Sequence, residues 1–304
     1  MRDKTILVTG GTGSLGQTIC QRLFQEHSPR MVIILSNDEH GQHRLRTQVF
    51  PRDRWPVEYV CADVAYFEAV LMATMHVDYV IHAAAMKHVH ICESDPEMAI
   101  RTNIQGTVNL RRACILNDVK KCVVVSSDKA IHPIGVYGTS KAAADMSVLT
   151  RNHRTLFSVV RFGNFWRSAG SMFDTWDTLW AKGVKRLPIT DARATRFFIS
   201  LDAAAAFVLH WLDLCRGGEI VAPKMRSRRV VDVAWEEYPG CEFELIGIRR
   251  GEKLHEQLVT PEWSYRTREF PEFFVTDFLG QWQGEGTPVP EGFCYGSEDA
   301  CQSS

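Results

Sequence analysis

What the 304-residue chain lacks narrows its class first. It has no charge excess of either sign: Lys and Arg number 35 against 36 Asp and Glu, a formal net charge of -1. General nucleic-acid binders usually carry a basic surplus, which argues against that class. The longest apolar stretch, around Ala203–Leu209, is far too short to span a bilayer. No signal peptide is legible, because Met1–Lys4 runs straight into a short strand and a glycine cluster. The nine cysteines are an odd count with no Cys-x-x-Cys pair. That argues against a disulfide framework or a zinc ribbon; no metal site is expected, and the reducing cytoplasm is the simpler home.

What is present is a regular alternation. Thr5–Val8, Met31–Leu35, Val57–Cys61, Tyr79–His82, Lys121–Val125 and Phe157–Val160 are short, nearly continuous apolar runs, as expected of parallel strands covered on both faces. Helix-length segments lie among them: Leu15–Glu26, Ala65–Met75, Pro96–Asn117 and Val136–Asn152. Such alternation predicts an α/β fold with a doubly wound parallel sheet, ligands sitting at the carboxyl ends of its strands. After about residue 165 the pattern loosens, tryptophans mark large apolar surfaces, and one good helix spans Leu201–Cys215. Residues 281–304 are rich in Gly, Pro, Ser and Gln and hold Glu285, Glu291, Glu298 and Asp299 without Lys or Arg. The expected division is therefore 1–164 for the sheet domain, 165–280 for a smaller α+β substrate-binding part, and 281–304 for a disordered acidic tail. Setting that tail aside leaves residues 1–280 mildly basic.

Strand Thr5–Val8 leads into Thr9-Gly10-Gly11-Thr12-Gly13-Ser14-Leu15-Gly16 and then a helix. Glycines there let the backbone turn tightly and let a pyrophosphate approach the free N–H groups of the helix start. This is a Rossmann-type dinucleotide fingerprint. The second strand ends at Ser36-Asn37-Asp38-Glu39, with neither the acid that binds NAD ribose nor the Arg that binds the NADP phosphate in the critical places. Asp38 and Glu39 also suit a helix N-cap. Asp63-Val64 suits contact with the adenine, and Asp63 equally suits an N-cap.

The most informative stretch is Val123-Val124-Val125-Ser126-Ser127-Asp128-Lys129-Ala130, leading to Tyr137-Gly138-Thr139-Ser140-Lys141. Tyr137 and Lys141 lie one helical turn apart on one face. A phenol titrates near pH 10, and a neighbouring ammonium lowers that value, so Tyr137 becomes a candidate base. Asp128 and Lys129 add an acid and a second base at the end of the fifth strand. Oxidation combined with an acid and a base is the equipment of dehydration through a keto intermediate. The bland alternative is a solvated Asp-Lys pair in a loop.

Ser on the fifth strand, Tyr-x-x-x-Lys on the next helix and Asn103 resemble the extended short-chain dehydrogenase/reductases. His82-Ala83-Ala84-Ala85-Met86-Lys87-His88-Val89, Arg161-Phe162-Gly163-Asn164, Thr190–Phe197 and Gly251-Glu252-Lys253-Leu254-His255-Glu256 narrow the likeness to the soluble UDP-N-acetylglucosamine 4,6-dehydratases, over residues 4 to about 278. That resemblance implies a cytoplasmic homo-oligomer acting on a UDP-sugar with NADP. It implies that Tyr137 takes the C4 hydroxyl proton with Lys141 beside it, Lys129 removes the C5 proton, and Asp128 protonates the departing C6 hydroxyl. It places Gly10, Thr12, Gly13, Ser14, Leu15, Gly16, Ser36, Asn37, Asp38, Asp63, Val64, Ala83, Ala84, Asn103, Tyr137 and Lys141 at the cofactor. Lys87, Asn164, Arg196, Arg249 and Glu252 fall at the substrate, although Arg249 and Glu252 also suit surface ion pairs. His88 and His255 receive no role.

Three departures stand out. Asn37 replaces the family's Arg, which leaves NAD open as the cofactor. The family's Gly-Ser-Arg-Gly-Ser run reads Arg167-Ser168-Ala169-Gly170-Ser171, and Arg250 stands where the family has Pro. Two competing functions remain at this stage: a UDP-sugar C4-epimerase, which would not need Asp128 and Lys129, and a non-catalytic dinucleotide-binding sensor.

Overall fold

A computed structural model describes residues 1–150 and 154–302. Six parallel strands form the centre: β1 (Thr5–Thr9), β2 (Met31–Ser36), β3 (Val57–Cys61), β4 (Tyr79–His82), β5 (Lys121–Ser127) and β6 (Leu156–Phe162). Their order is β3-β2-β1-β4-β5-β6, the doubly wound arrangement. The sheet does not stop at β6. Glu219–Pro223 adds a parallel strand, Phe273–Asp277 and Thr267–Glu269 follow antiparallel, and Thr287–Pro288 closes the edge of ten strands. Residues beyond 164 therefore complete the same sheet, alongside a three-stranded sheet of Asn164–Phe165, Thr195–Ile199 and Arg226–Arg229.

The apolar runs explain the layering. Ile6, Val8, Ile34 and Val160 point to one face, where helices Ser14–Glu26 and Leu201–Leu214 pack on them. Leu7, Leu35, Val80 and Val124 point to the other, covered by residues of helices Phe67–Ala73, Gly106–Leu116 and Val136–Val148. Alternate residues of one strand thus serve two cores, which is why the strands read as unbroken hydrophobic runs.

Three expectations are corrected. The segment Pro96–Asn117 is not one regular α-helix: a π-helical stretch, Ile100–Gln105, separates Pro96–Ala99 from Gly106–Leu116. The helix expected over Val136–Asn152 runs Val136–Val148, and Arg151 and Asn152 lie outside the described residues. The larger correction concerns the acidic tail, which through residue 302 is packed structure. Trp282 is buried and stacks on Trp211 with ring centroids 5.3 Å apart. Glu285 pairs with Arg216 at 2.7 Å, Tyr295–Gly296 pairs with Gln257–Val259, and Ser297 is fully buried at the start of helix Ser297–Gln302. Single anchors hold this segment rather than a periodic apolar face, so its composition gave no sign of order. The charge division drawn at residue 280 has no structural boundary beneath it. Among the described residues, no helix is long and apolar enough to cross a membrane.

Candidate active site

The dinucleotide cradle is made of backbone. Gly10 sits at φ +67°, and a side chain there would bring Cβ to 2.7 Å from the Ala84 nitrogen, so the turn after β1 requires glycine. Gly13 forms the N-cap of helix Ser14–Glu26 with no side chain capping it, which leaves its first N–H groups free for an anion. Ser14, Leu15 and Gly16 make the first turn, and Leu15 is buried. Thr12 and Ser36 join through their hydroxyls at 2.9 Å, tying the cradle to the tip of β2. Ala84 N–H donates to the Thr9 hydroxyl, which also meets His82 Nδ1 at 2.7 Å. Burial holds the His82 imidazole down at about 3, so it stays neutral and serves as a hydrogen-bond hub. This cradle fits a dinucleotide pyrophosphate.

The outer part of the cradle is less decided. Asn37 Nδ2 donates to Asp63 Oδ2 at 3.3 Å, and Asp38 caps the following short helix by accepting from Gly41 N–H. Asp63 also accepts from Ala65 N–H, and Val64 is buried against Gly106. Asn103 accepts from Met86 N–H and donates to the Met86 carbonyl and the Ser140 hydroxyl. Its amide is fully used as a staple between the Ala83–Lys87 loop and the helix that carries Tyr137.

The chemistry-bearing side chains meet where β5 ends. Ser127 donates to Asp128 Oδ1 at 2.9 Å, and Lys129 Nζ donates to the same oxygen at 3.0 Å. Asp128 is fully buried, and its Oδ2 has no hydrogen-bond partner. Burial, aided by the Glu256 charge, raises the Asp128 carboxyl against the pull of Lys129 and Ser127, the change a general acid needs. Burial alone would lower Lys129, but Asp128 and Glu256 outweigh it and hold the ammonium charged. The helix Val136–Val148 approaches closely enough that a Cβ on Gly138 would lie 2.3 Å from the Lys129 carbonyl oxygen. That glycine is what lets Tyr137 stand beside Lys129.

Burial pushes the Tyr137 phenol up to about 12, opposed chiefly by Lys129 and by a hydrogen bond with Ser127. The phenol thus sits above its ordinary value rather than below it, and the cation that opposes this rise is Lys129 rather than Lys141. Lys141 is buried, donates to the Val125 carbonyl at 2.8 Å, and has its ammonium destabilised chiefly by burial. The solvated Asp-Lys alternative is corrected: Asp128 is fully buried, and Lys129, 19% exposed, is held by ion pairs to Asp128 and Glu256.

The residues expected at the substrate divide into two groups. Asn164 Oδ1 accepts from Lys129 Nζ at 3.3 Å and belongs to the cluster. Arg196 is buried and binds the carbonyls of Thr195, Leu254 and Lys253, with Glu252 at 2.9 Å. It braces the 252–254 loop behind the site. Lys87 donates to the Ala169 carbonyl at 2.5 Å. Arg249 is exposed and outside the buried cluster. The displaced Arg167 pairs with Asp177 and Glu237 on the surface, so it does not replace the arginine missing at Ala169.

Sequence reasoning gave no role to Glu256, Lys253, Ser297 or Glu93. Glu256 is fully buried, 3.6 Å from Lys129 Nζ and 2.8 Å from Lys253 Nζ. Glu93 accepts from Val136 N–H at the start of the Tyr137 helix and pairs with Arg250 at 2.9 Å. The motif holding Glu256 was visible, but its reach to Lys129 depends on tertiary packing.

A Rossmann cradle facing a Tyr-x-x-x-Lys helix defines the class as a dinucleotide-dependent short-chain dehydrogenase/reductase-type fold. The chain belongs to the family described as "Polysaccharide biosynthesis protein", which matches residues 6–277. It is 40% identical to a UDP-N-acetylglucosamine 4,6-dehydratase (inverting) of Campylobacter jejuni, over 97% of this chain and 93% of the relative. A UDP-glucose 4-epimerase of Rickettsia bellii is 33% identical over 90% of this chain and 82% of its own. The solved structure of Pen from Bacillus thuringiensis superposes with a TM-score of 0.91 at 32% identity, covering 99% of this chain and 94% of the other.

Proposed function

We propose that the protein is a hydro-lyase that converts UDP-N-acetylglucosamine to a UDP-4-keto-6-deoxy-hexosamine, with inversion at C5. The observation that carries this reading is the Asp128–Lys129 ion pair, its carboxylate fully buried and its lysine only partly exposed, on the turn packed against the Tyr137 helix. An epimerase needs to move hydride and one hydroxyl proton, and such a pair gives it nothing to do. The name of the Campylobacter relative supports the substrate and the inversion.

A nicotinamide dinucleotide held over Gly10–Gly16 would supply a hydride acceptor at C4 and return that hydride to C6. The chain's own side chains move the protons. Tyr137 takes the C4 hydroxyl proton, with Lys129 and Ser127 favouring its phenolate. The new ketone acidifies C5, and Lys129 removes the C5 proton. Asp128 donates to the departing C6 hydroxyl, which leaves as water; its raised carboxyl suits that task. Asn164 and Arg196 keep Lys129 and the loop behind it in place.

The resemblance points to NADP, whereas the tip of β2 favours NAD. Asn37 is bonded to Asp63 and offers no guanidinium, and Asp38 and Asp63 add negative charge where a ribose phosphate would lie. Nine free cysteines suit a reducing compartment. Incubation with UDP-N-acetylglucosamine and either dinucleotide tests the reading. The expected product is one water lighter, with no net change in the dinucleotide. Recovery of intact substrate or of its galacto epimer would overturn it.

A further inference from the structure

Acid and base at C5 and C6 must both be ready at once, and one proton decides this. With Lys129 an ammonium and Asp128 a carboxylate, neither can act. Moving one proton along the 3.0 Å bond from Lys129 Nζ to Asp128 Oδ1 breaks an N–H, forms an O–H, and yields an amine base and a carboxylic acid together. The pair works only while it holds that proton.

We propose that Glu256, anchored by Ser297 of the C-terminal segment, is the positioning residue that keeps the working proton on the Asp128–Lys129 pair; this rests on the dehydratase reading. Its carboxylate is fully buried, with Oε1 3.6 Å from Lys129 Nζ and Oε2 ion-paired with Lys253 Nζ at 2.8 Å. An anion at that distance in a dry site makes loss of a proton from either partner harder. The charged groups that act most on Glu256 come from three elements. Asp128 and Lys129 come from the turn after β5, Arg196 from strand Thr195–Ile199, and Lys253 from the preceding loop at 2.8 Å. Lys253 also donates to the Ile131 carbonyl, which fixes its ammonium near the same turn.

The anchoring comes from the segment whose composition suggested disorder. Ser297 N–H donates to the Glu256 carbonyl at 2.7 Å, and Glu256 N–H donates to the Ser297 hydroxyl at 2.9 Å. That hydroxyl also meets the Thr195 hydroxyl at 2.7 Å, next to Arg196. Ser227 Oγ donates to the Ser297 carbonyl at 2.5 Å. A fully buried serine thus locks the backbone of Glu256 from both sides.

The protons balance over a turnover. The pair gains the C5 proton on Nζ and gives one from Asp128 to the leaving hydroxyl, so its count is unchanged. Solvent reprotonates C5 on the opposite face, and Tyr137 returns the C4 hydroxyl proton to solvent.

The test is the pH dependence of kcat and KM for wild type, Glu256→Gln, Glu256→Asp and Ser297→Ala, with UDP-N-acetylglucosamine as substrate. In Glu256→Gln the alkaline limb of kcat moves to lower pH by about one unit or more. KM stays within about twofold, as expected of a group that acts through the pair. Glu256→Asp partly restores the wild-type limb, and Ser297→Ala moves it in the same direction by less. A uniform fall in kcat with the limb unmoved overturns the proposal and leaves a purely structural role. If Glu256→Gln does not fold, an unmoved limb in both Glu256→Asp and Ser297→Ala overturns it equally. Absence of dehydrated product from wild type would instead strike the dehydratase reading itself.

Discussion

The two sides of the site are built from different materials. The dinucleotide cradle is chiefly backbone, a left-handed glycine and an uncapped helix start, backed by neutral side-chain hydrogen bonds among Thr9, His82 and Thr107. The reacting side is a buried charge cluster drawn from four stretches of chain. Asp128 and Lys129, Arg196, Lys253 and Glu256, and Ser297 come together only in the folded protein. Backbone geometry tolerates little chemical change, but it is specified locally. A charge cluster depends on each member having its partner, since removing one leaves another buried and uncompensated. The first design holds a common cofactor, while the second selects a reaction.

The largest effect separates the two halves directly. Lys129→Ala should lower dehydration by about 10³-fold, the scale of a positioned acid or base. Dinucleotide affinity, measured by titration calorimetry, should stay within about twofold of wild type. A loss of both would mean that the halves are not separable.

Next comes the pH response of the neutral hub. His82 has a folded value of about 3 against about 6.5 when unfolded, so it contributes stability above pH 6.5 that is lost as pH falls toward 3. Across that window the slope reaches about 1.4 kcal/mol per pH unit for one proton. Denaturation curves from pH 7 to 4 should show it, and His82→Gln should flatten it.

Gly10→Ala should destabilise the fold by about 1–3 kcal/mol, because it forces a side chain into a left-handed turn against Ala84. Thermal unfolding with and without dinucleotide measures this; stability and cofactor binding should suffer together. The smallest effect is at the rim. Asn37→Arg should shift the NADP-to-NAD affinity ratio by about tenfold, as one charge-assisted contact to a phosphate would. An unchanged ratio would mean that the tip of β2 does not face the ribose.

This contrast also explains what could be read from the chain. Gly10–Gly16 and Tyr137–Lys141 are legible because each acts over a few residues whose spacing sets the geometry. Asp128 and Lys129 stood out by adjacency at a strand end. Glu256 lies inside the Gly251–Glu256 motif yet shows no role there, because no spacing tells that residue 256 lies 3.6 Å from residue 129. Arg196 is expected at the substrate, and no spacing tells that its terminal nitrogens bond the Leu254 and Lys253 carbonyls. The tail was misread for a related reason: Trp282, Tyr295 and Ser297 are isolated anchors, and periodicity is blind to them.

The central claim is that Tyr137, Asp128 and Lys129 together remove water from a UDP-sugar. Proton NMR of the wild-type turnover mixture in heavy water, with UDP-N-acetylglucosamine as substrate, tests it most directly. The account predicts a 4-keto-6-deoxy product with a C6 methyl group, deuterium at C5 and inverted C5 configuration. A product that keeps its C6 hydroxyl and its C5 proton, whether unchanged or epimerised at C4, would contradict it.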